Sequence, residues 1–536
     1  MQSQQFTEPV TAPQDVRAAD VISALSYALD LAEGQPLGHS VQSCMIGMRL
    51  AQEIGMPRED QADLYYALLL KDAGCSSNAS RLFHIIHSDE IKAKGDLKDK
   101  DWTKVGWESL QYAVDHVATG APFMERVRTL IRVAAKQQTE SCELVKIRCE
   151  RGASIARKMG FGEAVASAIH SLDEHWDGGG YPDGVRGDQI PLFSRIMNLA
   201  QTLAVFLIVH GPLVALDAVE KRSRRWYDPE LVQAAKSLAL NGKLWTGLET
   251  NDLVAQVAAL EPQERMLMAG EDVMENICEA FAEVIDAKSP FTYRHSNGVA
   301  SAAVSIAGQL GMGKAEIKSL RRAALLHDIG KLSVPNTILE KPGKLTGEEW
   351  DVVKKHPYYT LEILRRIPGF REMSDVAAAH HERLDGCGYW RHWGAEQLTT
   401  PSRILAVADV FDALSTKRRE RLPALRDDDG SVPAPDRHPV REEQPVPRDC
   451  RVPRDRHGDD VDVSPFGACV QRLGVGTLVR EREPLGRDLP VKEGPEHEQV
   501  VAVGGKGEAD VGWHGRERRG SAASRRRGSR VPGRGR

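Results

Sequence analysis

The chain has 536 residues, a formal net charge of −5 and eight cysteines scattered without CxxC spacing. That length allows roughly two to four domains with a sizeable core. The mild charge excludes a chain-wide basic field for nucleic acid, and the cysteine pattern reads as reduced thiols of a cytoplasmic protein, not a disulfide framework.

In chain order, residues 1–18 form a polar leader without the basic region and apolar core of a signal peptide. Residues 19–211 read as a helical domain, 212–275 as a helical bridge whose long helix ends near Asp286, and 276–418 as a second helical domain. Residues 315–327 show the helical pattern plainly: Ile317, Leu320, Ala324 and Leu325 recur on one face, with Lys318, Arg321 and Arg322 on the other. No apolar run is read as spanning a membrane, because residues 196–209 are short and carry Asn198 and Gln201. No membrane partner is therefore expected.

From residue 419 to 536 the chain changes character: Ile, Met, Asn and Tyr vanish, and Arg, Gly, Pro, Val, Asp and Glu dominate. Such a composition buries too little apolar surface to offset its ordering entropy, so this tail is expected to be disordered. Its abrupt onset suggests a shifted reading frame, which resequencing around codon 418 would test. Only the last stretch is strongly basic and it lacks interleaved aromatics, which argues against nucleic-acid binding by the tail.

The two helical domains repeat one another. Glu174–Pro182 resembles Glu382–Trp390 at an offset of 208, as Ser194-Arg195-Ile196 resembles Ser402-Arg403-Ile404. Gly38-His39-Ser40 likewise resembles Arg294-His295-Ser296, and in both copies 32 residues lead from the His to a two-residue site, Lys71-Asp72 or His327-Asp328.

The second copy carries the chemistry. His295, His327, Asp328, His356, His380, His381 and Asp409 follow in order over about 115 residues. Neutral imidazoles with carboxylates suit Fe, Mn or Zn and make a multi-metal hydrolytic site possible. His327-Asp328 follows Ala323-Ala324-Leu325-Leu326, and Asp409 sits within Ile404-Leu405-Ala406-Val407-Ala408 and Val410-Phe411. Ionisable groups carried into a core need partners, and a cation is the natural one. One such His alone would more often be a hydrogen-bonded core residue; seven candidates in one ordered domain, five His and two Asp, reverse that weighting.

The runs His327-Asp328-Ile329-Gly330-Lys331, His356-Pro357, His380-His381-Glu382-Arg383-Leu384-Asp385-Gly386-Cys387-Gly388-Tyr389 and Ala408-Asp409-Val410-Phe411-Asp412-Ala413-Leu414 resemble the HD-GYP family. The resemblance implies an all-α fold of tandem HD-type helical domains. It further implies a phosphodiesterase that opens cyclic di-GMP to pGpG or GMP through a metal-bridged hydroxide. By motif position, the seven residues would be the metal ligands and Asp328 would bridge two divalent ions, Fe or Mn. Lys331 would act with Asp328 at the reacting phosphate, and Tyr389 and Arg418 would contact substrate. Family members with a third metal carry Glu four residues before the first His; here that residue is Phe291, which argues for two metals. The family signature ends Gly-Tyr-Pro, whereas this chain has Gly388-Tyr389-Trp390, and the family's later phosphate-binding segment is replaced by the tail.

In the first copy the matching positions are His39, Lys71, Asp72, about Cys149, Leu172, Asp173 and Gln201, of which only His39 and Asp72 keep their type. This copy is read as catalytically dead, a packing domain in preference to a ligand-sensing one. Bridging helices could pair two chains as a homodimer. Two alternatives stand beside the cyclic di-GMP reading: an HD-type phosphohydrolase of another nucleotide, and a catalytically impaired signalling or scaffold protein.

Overall fold

The computed structural model describes residues 16–415, apart from 99, 102–106, 251–252, 263–266 and 293. The chain divides into compact units at residues 1–480 and 481–536, and every described residue lies in the first. Arg418 and the tail from residue 419 lie outside the described residues.

Among the described residues there is no named strand, only three isolated bridges. The first half holds α1 (Ala18–Ala32), α2 (His39–Glu53), α3 (Arg58–Leu70), α4 (Ala79–Ile86), α5 (Glu90–Leu97), α6 (Trp107–His116), α7 (Phe123–Lys158), α8 (Glu163–His170) and α9 (Leu192–His210). Then come α10 (Pro212–Lys221), α11 (Pro229–Leu240) and α12 (Leu253–Ala258). The second half holds α13 (Glu271–Asp286), α14 (His295–Gln309), α15 (Lys314–Leu326), α16 (Asn336–Leu339), α17 (Gly347–Val353), α18 (His356–Leu364), α19 (Arg371–Ala378) and α20 (Thr400–Ser415).

In the first half α2 packs between α3 and α9; in the second, α14 packs between α15 and α20. The helix that starts at the first His of each copy is held in the same way. Asp30 at the end of α1 accepts from Gly38 N at 2.7 Å and Ser40 Oγ at 2.7 Å. Asp286 at the end of α13 accepts from Ser296 N at 3.3 Å and Ser296 Oγ at 2.7 Å. A buried carboxylate thus satisfies the otherwise orphaned first amides of α2 and α14.

Helix α1 lies between the copies, packing on α2 and α3 and also on α18 and the 3-10 turn Ile329–Ser333. One continuous apolar core runs through both halves. Helices α10 and α11, within the stretch read as a bridge, pack against α9, and α11 also against α2. The polar face of α15 meets the acidic face of α13: Arg321 pairs with Glu279 at 2.7 Å, and Arg322 with Glu275 and Glu271 at 2.8 Å each.

Two expectations need correction. Helix α9 has 19 residues and is long and apolar enough to cross a membrane by length and composition. It begins before the run read from sequence, and it absorbs Asn198, whose side chain donates to Glu174 O at 3.0 Å. Within this fold 61% of its most apolar window is buried, as in a core helix. Second, Cys44, Cys75, Cys142, Cys149 and Cys278 are free thiols as expected, but Cys387 is disulfide-bonded.

Candidate metal centre

The seven residues singled out in the second copy converge although they come from four helices and two turns. His327 caps the C-terminus of α15, and the buried run before it carries it to zero exposure. Asp328 follows in the turn, His356 opens α18, His380 and His381 follow α19, Asp409 lies on α20, and His295 opens α14. Two clusters result, each with donor atoms within 4.8 Å: Asp328, His356, His380 and His381, and His295, His327 and Asp409.

Asp328 stands between them. Its Oδ1 lies 3.4 Å from His356 Nε2 and 3.5 Å from His380 Nε2. Its Oδ2 lies 3.4 Å from His327 Nε2 and 3.9 Å from His295 Nε2, and accepts from Lys331 Nζ at 2.5 Å. Asp409 Oδ1 is 3.1 Å from His295 Nε2, and its Oδ2 is 3.9 Å from His381 Nδ1.

Three histidines are oriented by one device. Nδ1 of His327 lies 2.7 Å from Ala324 O, that of His356 2.7 Å from Val353 O, and that of His380 2.6 Å from Ala377 O. A carbonyl can only accept, so each Nδ1 carries a proton and each ring turns its Nε2 inward. Burial pushes His327 down to about 4 and His356 to about 3, with neighbouring Asp328 opposing, so both stay neutral near pH 7. His327 Nε2 and Asp328 Oδ1 are buried without a hydrogen bond among the described residues. Burial also opposes charge on His295, but hydrogen bonds to Asp409 and Asp412 outweigh it and lift it to about 10. Asp328 and Asp409 are held well below the usual carboxylate range: burial works against their charge, and the facing histidines, with Lys331 for Asp328, overcome it.

The open side is formed by His295, His381, Lys331 and Tyr389, all partly exposed, while His327, Asp328, His356 and His380 are buried. Tyr389 stacks on His381 with centroids 4.6 Å apart. The glycine-rich loop is hung from Glu382, which accepts from Arg391 N at 2.9 Å and Trp393 N at 3.0 Å. In the first copy Glu174 does the same for Asp183 N at 2.6 Å and Gly184 N at 3.1 Å. Phe291 lies on the surface, apart from the clusters.

Asp412 was missed in sequence. It lies 2.7 Å from His295 Nδ1, one turn along α20 from Asp409, and that i, i+3 spacing was the available signal. Gly298 makes room for it, since a Cβ there would fall 1.9 Å from Asp412 Oδ1.

In the first copy Lys71 caps α3 as His327 caps α15. The position aligned above with about Cys149 is corrected to Arg148. A Cβ on Gly74 would meet Arg148 O at 1.9 Å, just as one on Gly330 would meet His356 O at 2.0 Å. Both residues pair with acids: Lys71 with Asp72, and Arg148 with Asp173. Lys98, which no motif marked, reaches Asp72 at 3.5 Å and Glu33 at 3.1 Å. Glu33, Asp72 and Cys75 also lie close enough to share an ion. Lys71, Lys94 and Lys98 already supply positive charge there.

Comparison with known proteins agrees with this geometry. The HD domain family model matches residues 125–231 and 279–429, touching both copies. A 3'3'-cGAMP-specific phosphodiesterase 3 of Vibrio cholerae is 41% identical over 406 residues, 75% of this chain and 87% of that protein. The chain belongs to the HD-GYP family of HD-domain proteins. It is thereby a metal-dependent phosphohydrolase. The crystal structure of a cyclic GMP-AMP specific phosphodiesterase of V. cholerae shares 38% identity with it at a TM-score of 0.54, covering 75% of this chain and 89% of that one. The cyclic di-GMP phosphodiesterase response regulator RpfG of Xanthomonas campestris is 37% identical over 165 residues, 30% of this chain and 44% of that protein. The HD-GYP resemblance and the all-helical fold expected from sequence therefore hold.

Proposed function

We propose that the second copy of this HD-GYP protein is a two-metal phosphodiesterase that linearises a cyclic dinucleotide, with 3'3'-cGAMP its preferred substrate. The observation that carries the substrate choice is the extent of likeness. The relative specific for 3'3'-cGAMP matches through both copies, whereas the cyclic di-GMP relative RpfG matches 30% of the chain. Cyclic di-GMP, the substrate expected from sequence, is the second reading, and the same assay separates them.

The donor set fits metal ions. Three Nε2 atoms face inward with their Nδ1 protons committed elsewhere, and buried His327 Nε2 and Asp328 Oδ1 lack hydrogen bonds among the described residues. Buried polar atoms of this kind call for a cation. His295, His327 and Asp409 would hold one ion and His356, His380 and His381 the other, with Asp328 shared by its two oxygens. The oxygen and imidazole donors favour iron or manganese. When bound, such ions supply Lewis acidity and lower the pKa of water at the site.

The chain's own groups do the rest. Lys331, held against Asp328 on the open side, offers an ammonium to a phosphoryl oxygen as negative charge grows there. Burial lowers its pKa and Asp328 raises it more, so it stays protonated. Tyr389, stacked on His381, forms the wall against which the sugar-phosphate ring of the substrate would lie. Asp412 orients His295 from behind, as second-layer carboxylates orient metal-bound imidazoles.

The test is hydrolysis of 3'3'-cGAMP and cyclic di-GMP side by side, with protein prepared anaerobically with iron or manganese. Asp328→Ala is the control. Faster turnover of 3'3'-cGAMP that the control abolishes supports the proposal. Faster turnover of cyclic di-GMP would move the assignment to the second reading. Bound metal without turnover of either would reject both.

A further inference from the structure

The catalytically altered copy reaches into the segment that follows the His327-Asp328 turn. Glu90, the first residue of α5, is fully buried. Its two oxygens accept from the backbone N of Asn336 at 3.1 and 3.0 Å, at the start of α16. Lys288, also buried, donates to Glu90 at 2.7 Å, and its carbonyl accepts from Asn336 Nδ2 at 3.0 Å. The other end of α16 is gripped too. Glu340 accepts from Asn336 Nδ2 at 2.6 Å and from Ser80 Oγ at 3.1 Å, and lies 3.0 Å from His84 Nε2. Ser80 and His84 belong to α4.

This segment matters because it is short and carries Lys331. The turn Ile329–Ser333 runs directly into Pro335 and α16. Gly330 N donates to Thr360 Oγ1 at 3.1 Å, and Lys331 N to Asp328 O at 2.8 Å. The turn is thus anchored to α18 at its start and to Glu90 at its end, with Lys331 between. A carboxylate at a helix N-terminus is favourable for the dipole and the free amides alike. A buried acid without its lysine would be costly, so Glu90 and Lys288 serve together.

We infer that Glu90 is a positioning residue for the reaction of the second copy: by fixing the start of α16 it sets the placement of Lys331 beside Asp328. The inference rests on the role proposed above for Lys331. It gives the first copy a defined task in the reaction of the second.

The test uses the full chain loaded with manganese. Glu90→Ala, Lys331→Ala and the double variant are compared with the parent for metal content, for kcat and KM on 3'3'-cGAMP and cyclic di-GMP, and for amide hydrogen exchange. Glu90→Ala is expected to keep the parent's metal content and to lower kcat about tenfold with little change in KM. Exchange should quicken at Gly330, Lys331 and Val334, beyond the directly bonded Asn336. Glu90→Gln, which still presents an oxygen to Asn336, should restore most of the rate. In the Lys331→Ala background, Glu90→Ala should cost less than about twofold, because the two act through one group. An equal loss in both backgrounds, or unchanged exchange at residues 330–334, would overturn the inference. If Glu90→Ala does not fold, Glu90→Leu with Lys288→Met removes both charges and replaces it in each comparison. If the parent turns over neither dinucleotide, the substrate proposal fails by itself, and the exchange data still decide whether Glu90 holds the turn.

Discussion

The two copies solve the same electrostatic problem in different ways. Each carries a buried aspartate at the end of an apolar helix, Asp72 after α3 and Asp328 after α15. In the second copy the neighbours are imidazoles, three of which are turned Nε2 inward by a backbone carbonyl at Nδ1. In the first, the residues matching His327 and His356 are Lys71 and Arg148, fixed cations that satisfy the acids internally. Lys98 adds a third positive group. The supporting framework is the same in both: Asp30 and Asp286 hold the starts of α2 and α14, and Glu174 and Glu382 suspend the glycine-rich loops. The same framework therefore surrounds imidazoles in one copy and side-chain cations in the other.

His327→Lys would break the comparison most severely, by importing the first copy's arrangement into the second. The new ammonium would pair with Asp328 as Lys71 pairs with Asp72. Turnover should fall by about 1,000-fold, a loss of transition-state charge stabilisation. Bound metal should fall with it, while thermal unfolding changes little. Metal analysis beside the phosphodiesterase assay checks both halves. Retained metal would show that His327 is not a ligand.

The reciprocal change is Asp72→Asn. It leaves Lys71 and Lys98 without their shared counter-ion in a site where Asp72 and Lys71 have no side-chain exposure. Breaking a buried pair in this way costs about 3–5 kcal/mol. Denaturant unfolding should show this loss, with metal content unaltered. A variant of parental stability would mean that the lysines find other acids, Glu33 foremost.

A third contrast lies in the loops. His175 is buried and stacked on Trp226 at 4.2 Å, whereas the matching Arg383 is partly exposed and pairs with Asp385 at 2.7 Å. Burial, with Arg225 adding, pushes His175 down to about 3. Its folded pKa lies below the unfolded value, so its stabilising effect is complete above about pH 6.5 and drains as pH falls toward 3. At pH 4.5 the loss approaches about 3 kcal/mol. Unfolding measured at pH 7 and 4.5 should show it, and His175→Phe, which can keep the ring stack, should flatten that part of the slope.

The legible part of the molecule is the part that repeats or that places charge in an apolar run. The seven candidate donors stood out as an ordered set, three of its members, His327, Asp328 and Asp409, lying in or after apolar runs, and α13 ends at Asp286 as the pattern indicated. Lys98 and Glu90 were not found, because a polar residue on or just past a short surface-like helix carries no mark of the distant partners it meets. Arg148 was missed by one position, since helical alignment without a motif does not fix register; only the close approach of Gly74 does. The loops matched in sequence, but the exchange of Pro182 for Trp390 did not reveal what the backbone would do.

That exchange supplies the smallest expected effect. Trp390 sits at φ 82, a left-handed conformation that costs a residue with a Cβ roughly 1–2 kcal/mol. It is held there by side-chain contacts: Tyr358 with centroids 5.6 Å away, and the Arg391 guanidinium 4.6 Å above its ring. A cation over an indole contributes about 0.5–1 kcal/mol at a partly exposed site. Trp390→Gly removes the strain and these contacts together, so stability should move by less than about 1 kcal/mol in either direction. Arg391 keeps its second aromatic partner, Trp393 at 4.2 Å, and its bond to Asp375 at 2.9 Å. The loop should therefore stay hung on Glu382, and metal content should be unchanged. A change in KM for 3'3'-cGAMP against this constant background would mark Trp390 as a substrate contact, and an unchanged KM would leave it a packing residue of the loop.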